Sequence, residues 1–188
     1  SNVESWYQLA RYHMELKEYK VARLLLLNAL DIDPLHAKSH SRLGMVYYYL
    51  ENPELAKNSY QTALALNPED FNTHYNLGEL YLLMFNDTVK AVNEYKTTIQ
   101  LSPPHVGANF KMGSICADNK MYKEAILHFE KALETDNANI RILLQLAVAY
   151  EKLDNLYKAR SVYERITKID ALNVIARQKL RLLSGNSD

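Results

Sequence analysis

The sequence predicts an all-α protein built from helix pairs stacked in a row, a solenoid, and three observations predict it. One arrangement of large, small and aromatic residues recurs at a spacing of 34 residues, once stretched to 35. Helix formers dominate, and only five Gly and five Pro punctuate the 188 residues, sparse for an all-β sandwich. Three of the prolines, Pro34, Pro68 and Pro103, fall at the same place in successive copies, where a missing backbone donor ends a helix.

The repeat is read from paired positions. Leu43-Gly44 and Leu77-Gly78 lie 34 residues apart, as do Ala22 and Ala56, Leu26 and Tyr60, Ala29 and Ala63, and Pro34 and Pro68. The first copy, 3–36, carries Trp6, Leu9, Ala10, His13, Ala22, Leu26, Ala29 and Pro34. The second, 37–70, carries His40, Leu43, Gly44, Tyr47, Ala56, Tyr60, Ala63 and Pro68. The third, 71–105, carries His74, Leu77, Gly78, Tyr81, Ala91, Tyr95, Thr98 and Pro103, with its one extra residue expected in the turn around Asn86-Asp87. The fourth, 106–139, has Asn109, Met112, Gly113, Cys116, Ala125, Phe129 and Ala132, with Asn137 in the proline's place. The fifth, 140–173, has Leu143, Leu146, Ala147, Tyr150, Ala159 and Tyr163, and ends with Ile166 and Ala171 where Ala and Pro stand elsewhere.

This template resembles the tetratricopeptide repeat (TPR) family, whose unit is a pair of antiparallel helices of about 34 residues. The resemblance covers Val3 to Asn173 and implies a right-handed αα superhelix, a TPR solenoid, formed by one domain over 1–188. Ala10, Gly44, Gly78, Gly113 and Ala147 are expected where the two helices of a repeat cross closely. Ala22, Ala56, Ala91, Ala125 and Ala159 are expected to fill the matching place on the second helix, and Tyr60, Tyr95, Phe129 and Tyr163 the groove between repeats. Residues 174–184 have apolar side chains at 175, 176, 180 and 183 and read as the helix that covers the open C-terminal end. Gly185 is expected to stop it, leaving 186–188 frayed.

In TPR proteins the first helix of each repeat lines the inner surface. Carried onto this chain, the resemblance places on the concave face Tyr7, Lys38, Met45, Tyr48, Tyr49, Tyr75, Glu79, Leu82, Leu83, Phe110 and Leu144, together with Arg11, Met14 and Glu15. The middle of that surface is apolar and aromatic, which suits an amphipathic helix or an extended peptide with apolar anchors. The implied function is a protein-interaction scaffold that binds a peptide or helix of another protein. Self-assembly through the open N-terminal repeat or the trough, and the regulatory arm of a larger protein, are the alternatives.

Enzymatic chemistry finds no footing in the pattern. No Gly-rich phosphate loop, Ser-His-Asp order or zinc spacing occurs, so no catalytic residue, metal or cofactor is expected. His36, His40 and His74 suggest a metal cluster at first sight, but the repeat position of His40 and His74 is the one Trp6 occupies, which points to packing. Cys116 stands where Tyr47 and Tyr81 stand and reads as a buried small hydrophobe. Lys38 and Arg42 match the last pair of the carboxylate clamp some TPR proteins use for acidic C-termini, while Gln8 replaces an asparagine that clamp requires.

Charge and cysteine content bound the rest. Lys plus Arg and Asp plus Glu are 22 each, a balance that argues against a partner held by phosphate neutralisation, so nucleic acid is not expected. The longest apolar candidate, Val21 to Leu30, is interrupted by Arg23 and Asn28, and membrane insertion is not expected. A single cysteine forms no intrachain disulfide, which fits a reducing compartment and leaves cytoplasm, periplasm or organelle open. The chain starts at Ser1-Asn2 rather than methionine, which reads either as a trimmed tag or as a processed chain, so an excised piece of a longer protein is one expectation.

Overall fold

The computed structural model describes residues 3–185. Among them are eleven helices and no strand. They are α1 (Val3–Glu15), α2 (Tyr19–Ile32), α3 (Ala37–Tyr49), α4 (Pro53–Leu66), α5 (Phe71–Leu83), α6 (Thr88–Leu101), α7 (Val106–Asp118), α8 (Tyr122–Leu133), α9 (Ile140–Lys152), α10 (Leu156–Ile169) and α11 (Val174–Gly185). They fall into two compact units, residues 1–101 with α1–α6 and residues 102–188 with α7–α11. Residues 186–188, expected to fray, lie outside the described residues, and α11 itself runs through Gly185.

Every first helix is 13 residues long, and what closes it is the same each time. The turn into the second helix contains one residue with positive φ: Lys17 (60°), Glu51 (57°), Asn86 (52°), Lys120 (61°) and Asp154 (57°). A left-handed residue reverses the chain within a few residues, and among these side chains Asn86 and Asp154 tolerate it most readily. The turn of the third pair spans 84–87 where the others span three residues, so the extra residue lies there, as its composition suggested.

Second helices end two residues before Pro34, Pro68 and Pro103. The residue that closes each copy then caps the next first helix. The Asp70 side chain accepts from the Asn72 and Thr73 amides, His105 from the Ala108 amide, Asn139 from the Ile142 amide and Asn173 from the Ala176 amide. His36 holds the equivalent place without a side-chain cap; its Nδ1 lies 2.7 Å from Ser39 Oγ. Each such cap satisfies at least one orphan amide at the helix start, and Asp70 satisfies two.

Packing inside a pair is set by a ring against a bare backbone. A Cβ placed on Gly44 would lie 2.6 Å from the Tyr60 ring, on Gly78 2.7 Å from the Tyr95 ring and on Gly113 2.6 Å from the Phe129 ring. The aromatic therefore packs directly on the glycine of its own pair, a closer relation than the between-repeat filling expected from the sequence. The five alanines Ala22, Ala56, Ala91, Ala125 and Ala159 of the second helices are fully buried.

The core of the first unit includes Tyr7, Ala10, Leu25, Leu26, Leu43 and Val46. That of the second includes Cys116, Phe129, Leu143, Leu146, Tyr163 and Ile166 and extends to α11 through Ala176, Leu180 and Leu183. Ile175, expected on the covered face, is 53% exposed, because Ala176 takes the central place. Lys179 Nζ reaches Glu151 Oε2 at 2.7 Å and ties α11 to α9.

Candidate peptide-binding surface

Two open pockets adjoin in the first unit, and both are built chiefly by first helices. One, of about 240 Å³, is lined by Arg11, Met14 and Glu15 of α1, Tyr19 of α2, and Arg42, Met45 and Tyr49 of α3. The other, of about 190 Å³, is lined by Met45, Tyr48 and Tyr49 of α3, Tyr60 of α4, and Tyr75, Asn76 and Glu79 of α5. Met45 and Tyr49 belong to both, so the two pockets adjoin at α3, between α1 and α5.

Aromatic stacking holds the shape of both pockets. The rings of Tyr19 and Tyr49 lie 4.6 Å apart and nearly parallel, and Tyr48 meets Tyr49 edge-on at 5.4 Å. Tyr75 leans on Tyr95 at 5.9 Å. Tyr95 donates its hydroxyl hydrogen bond to Glu79 Oε1, which fixes that carboxylate at the pocket wall. Burial, then the nearby Glu79 charge, then Tyr49 raise the pKa of Tyr48. Arg42 donates from Nε to the Tyr7 hydroxyl at 3.5 Å, and its Nη1 lies 3.8 Å from Met45 Sδ.

Of the residues expected on the inner face, Met45, Tyr48, Tyr49, Tyr75 and Glu79 line one pocket together. Tyr7 does not join them. It is 7% exposed, packed in the core with its ring edge-on to His36 at 5.5 Å. Lys38 is exposed, Leu82 is half-buried and Leu83 is exposed on the last turn of α5; neither pocket's lining includes them. In the second unit Phe110 and Leu144 are half-buried and pack on the core, with the Arg141 guanidinium 4.6 Å from the Phe110 ring centroid. Tyr19 was missed because it begins a second helix, outside the register that selects inner-face positions.

The histidines expected to pack do something more specific. His40 Nε2 lies 2.8 Å from the Pro34 carbonyl oxygen, His74 Nε2 3.0 Å from that of Pro68, and Asn109 Nδ2 2.8 Å from that of Pro103. All three occupy the same repeat position, so a side-chain donor closes the carbonyl left open at each proline. Cys116 is buried in the second unit's core.

Four models described as "Tetratricopeptide repeat" match residues 3–34, 37–70, 59–93 and 117–181. The chain belongs to the tetratricopeptide repeat family. TPR proteins mediate protein–protein interactions as scaffolds. A curated relative, anaphase-promoting complex subunit 3 of Schizosaccharomyces pombe, is 25% identical over 94% of this chain, which spans only 21% of that protein. Among solved structures, pilF of Pseudomonas aeruginosa matches with a TM-score of 0.81 and 21% identity, covering 98% of this chain and 89% of that one. YrrB, described as a TPR protein with an unusual peptide-binding site, matches with a TM-score of 0.70 and 22% identity over 96% of this chain and 92% of its own. Likeness at this level of identity shows the fold. Among the described residues no helix is long and apolar enough to cross a membrane.

Proposed function

We propose that this chain captures a peptide or amphipathic helix of another protein in the trough that these two adjoining pockets make. The observation that carries the reading is the pair of adjoining pockets that share Met45 and Tyr49 and are walled by tyrosine and methionine on first helices. Tyrosine offers contact area at low entropic cost and methionine adapts its shape to a guest. Tyr49 is 51% exposed, so it presents apolar surface to a partner and does not hold the core together. Replacing Tyr49 with Glu is expected to abolish partner capture in pull-down while helicity and melting temperature stay unchanged. Capture that survives the change removes the trough from consideration.

A second reading is self-association through the N-terminal pair. α1, α2 and the turn between them leave Leu9, Tyr12, Leu16 and Leu24 between 43% and 57% exposed, apolar surface that another copy could cover. Light scattering over a dilution series separates the two: a strict monomer at high concentration ends this reading and leaves the first intact.

A further inference from the structure

We infer that α11 carries a second docking surface, for an acidic helical segment of a partner protein, in which Arg177 and Arg181 take two carboxylates and Leu182 and Ile175 take apolar side chains. The surface belongs to the second unit and does not depend on the pockets of the first.

The register of the copies isolates the two arginines. α11 begins at Val174 as α9 begins at Ile140, so Arg177 stands where His40 and His74 stand in their copies. Arg181 stands where Ala10, Gly44, Gly78, Gly113 and Ala147 stand. Those five small residues are buried, and the three glycines lie directly under a ring of their own second helix. Among the described residues α11 has no second helix of its own, and both arginines are exposed. A ring cannot seat on Arg181 as it seats on a glycine, because the long side chain fills that place. This side of α11 therefore takes a different kind of cover.

Charge indicates which kind. From Ala171 to Ser187 there is no Asp or Glu, against Arg177, Lys179 and Arg181. Lys179 is held by Glu151 at 2.7 Å. Among the described residues Arg177 and Arg181 make no ion pair and no side-chain hydrogen bond. Four residues apart, they lie one turn from each other and match two acids at the same spacing on a facing helix.

The rest of the exposed arc is chiefly apolar. At about 3.6 residues per turn, the order around the helix is Arg177, Arg181, Val174, Gln178, Leu182 and Ile175. Val174 is 75% exposed and Leu182 59%. The unpaired cations thus lie along one edge and Leu182 and Ile175 along the other, an arrangement that suits an amphipathic helix laid alongside α11. An interfacial membrane helix needs one broad apolar face, and the broadest here, Ala176, Leu180 and Leu183, is packed on the second unit's core.

The test is selection of phage-displayed random hexadecapeptides on the full chain, after depletion of the library on an Arg177→Glu/Arg181→Glu variant. Fluorescence polarisation then follows a synthetic peptide of the selected sequence. The expected consensus has two acidic residues three or four apart beside apolar ones. Arg177→Gln/Arg181→Gln, checked for an unchanged melting curve, should weaken binding about 5-fold at low salt, and a scrambled peptide of the same composition should bind the wild-type chain about 5-fold less tightly than the selected one. Tyr49→Glu should leave this binding unchanged, so that its loss there would assign the peptide to the first unit's pockets and overturn the inference. Survival of no peptide, a consensus without acids, undiminished binding by the Gln pair, or equal binding of the scrambled peptide also overturns it. So does a dimer that the Gln pair makes monomeric, which gives the face to a second copy, and so does co-sedimentation with phosphatidylserine vesicles, lost in the Gln pair, where no peptide is selected.

Discussion

His74 bridges two acceptors: its Nδ1 lies 2.6 Å from Glu94 Oε2 on α6, and its Nε2 lies 3.0 Å from the carbonyl oxygen of Pro68. A neutral imidazole has one donor, and this site offers two acceptors, so the ring is held best as the imidazolium. Its pKa is raised, chiefly by the Glu94 hydrogen bond, against the opposing effect of burial.

A pH dependence of stability follows. The folded pKa lies above the unfolded value of about 6.5, so the contribution is fully present below that value and is lost as pH rises through the folded pKa. His74→Asn copies Asn109, which makes the same carbonyl bond without titrating. Urea melts should show the wild type's advantage over His74→Asn shrinking from pH 5.5 towards pH 9. A gap that is constant with pH refutes the charged bridge.

Gly44 and Tyr60 set a size limit between α3 and α4. A methyl group on Gly44 would meet the ring at 2.6 Å, so Gly44→Ala should cost about 1–3 kcal/mol in denaturant unfolding. The first pair holds Ala10 and Leu26 at these places, both fully buried. Gly44→Ala with Tyr60→Leu reproduces that pairing and should recover much of the loss. Equal instability of the single and double variants would disprove the steric account.

Left-handed turn residues offer stabilisation. Glu51 and Lys120 adopt φ of 57° and 61°, a conformation that costs an L-residue with a Cβ about 1–2 kcal/mol. Glycine removes that strain and loses part of the gain to its freer unfolded chain, so Glu51→Gly and Lys120→Gly should each add roughly 0.5–1 kcal/mol. Thermal melts that fall on either substitution would show that the side chains contribute more than their strain costs.

The helix pairs were legible because their packing positions are occupied by residue types with few substitutes. A bare or nearly bare backbone opposite a ring recurs in four copies and a proline just past a helix in three, and α3, α5, α7, α9 and α11 begin at Ala37, Phe71, Val106, Ile140 and Val174, the starts of the segments read from them. The turns were not legible in this way. Lys17, Glu51, Lys120 and Asp154 share a backbone conformation but no side-chain signature, since a turn over-determined by two packed helices tolerates the strain without glycine.

The inner-face residues were legible only in part. Register selects positions on a first helix but not depth, so Tyr7 was grouped with Tyr75 although its ring is buried beside His36. Likewise the position of His40, His74 and Asn109 reads as packing because Trp6 occupies it too; its polar role depends on a carbonyl six residues earlier. In the fifth copy Leu143 holds that position and has no side-chain donor, and Arg165 of α10 reaches the Asn137 carbonyl instead.

The additional residue of the third copy is housed wholly in the segment 84–87, with 13 residues kept in α5 and 14 in α6. A length change was thus accommodated there without shifting any buried side chain out of phase. That makes this corner the natural port for grafting: a fluorophore-bearing cysteine or a short affinity tag placed beside Asn86 would report on the chain while leaving its interlocking faces untouched.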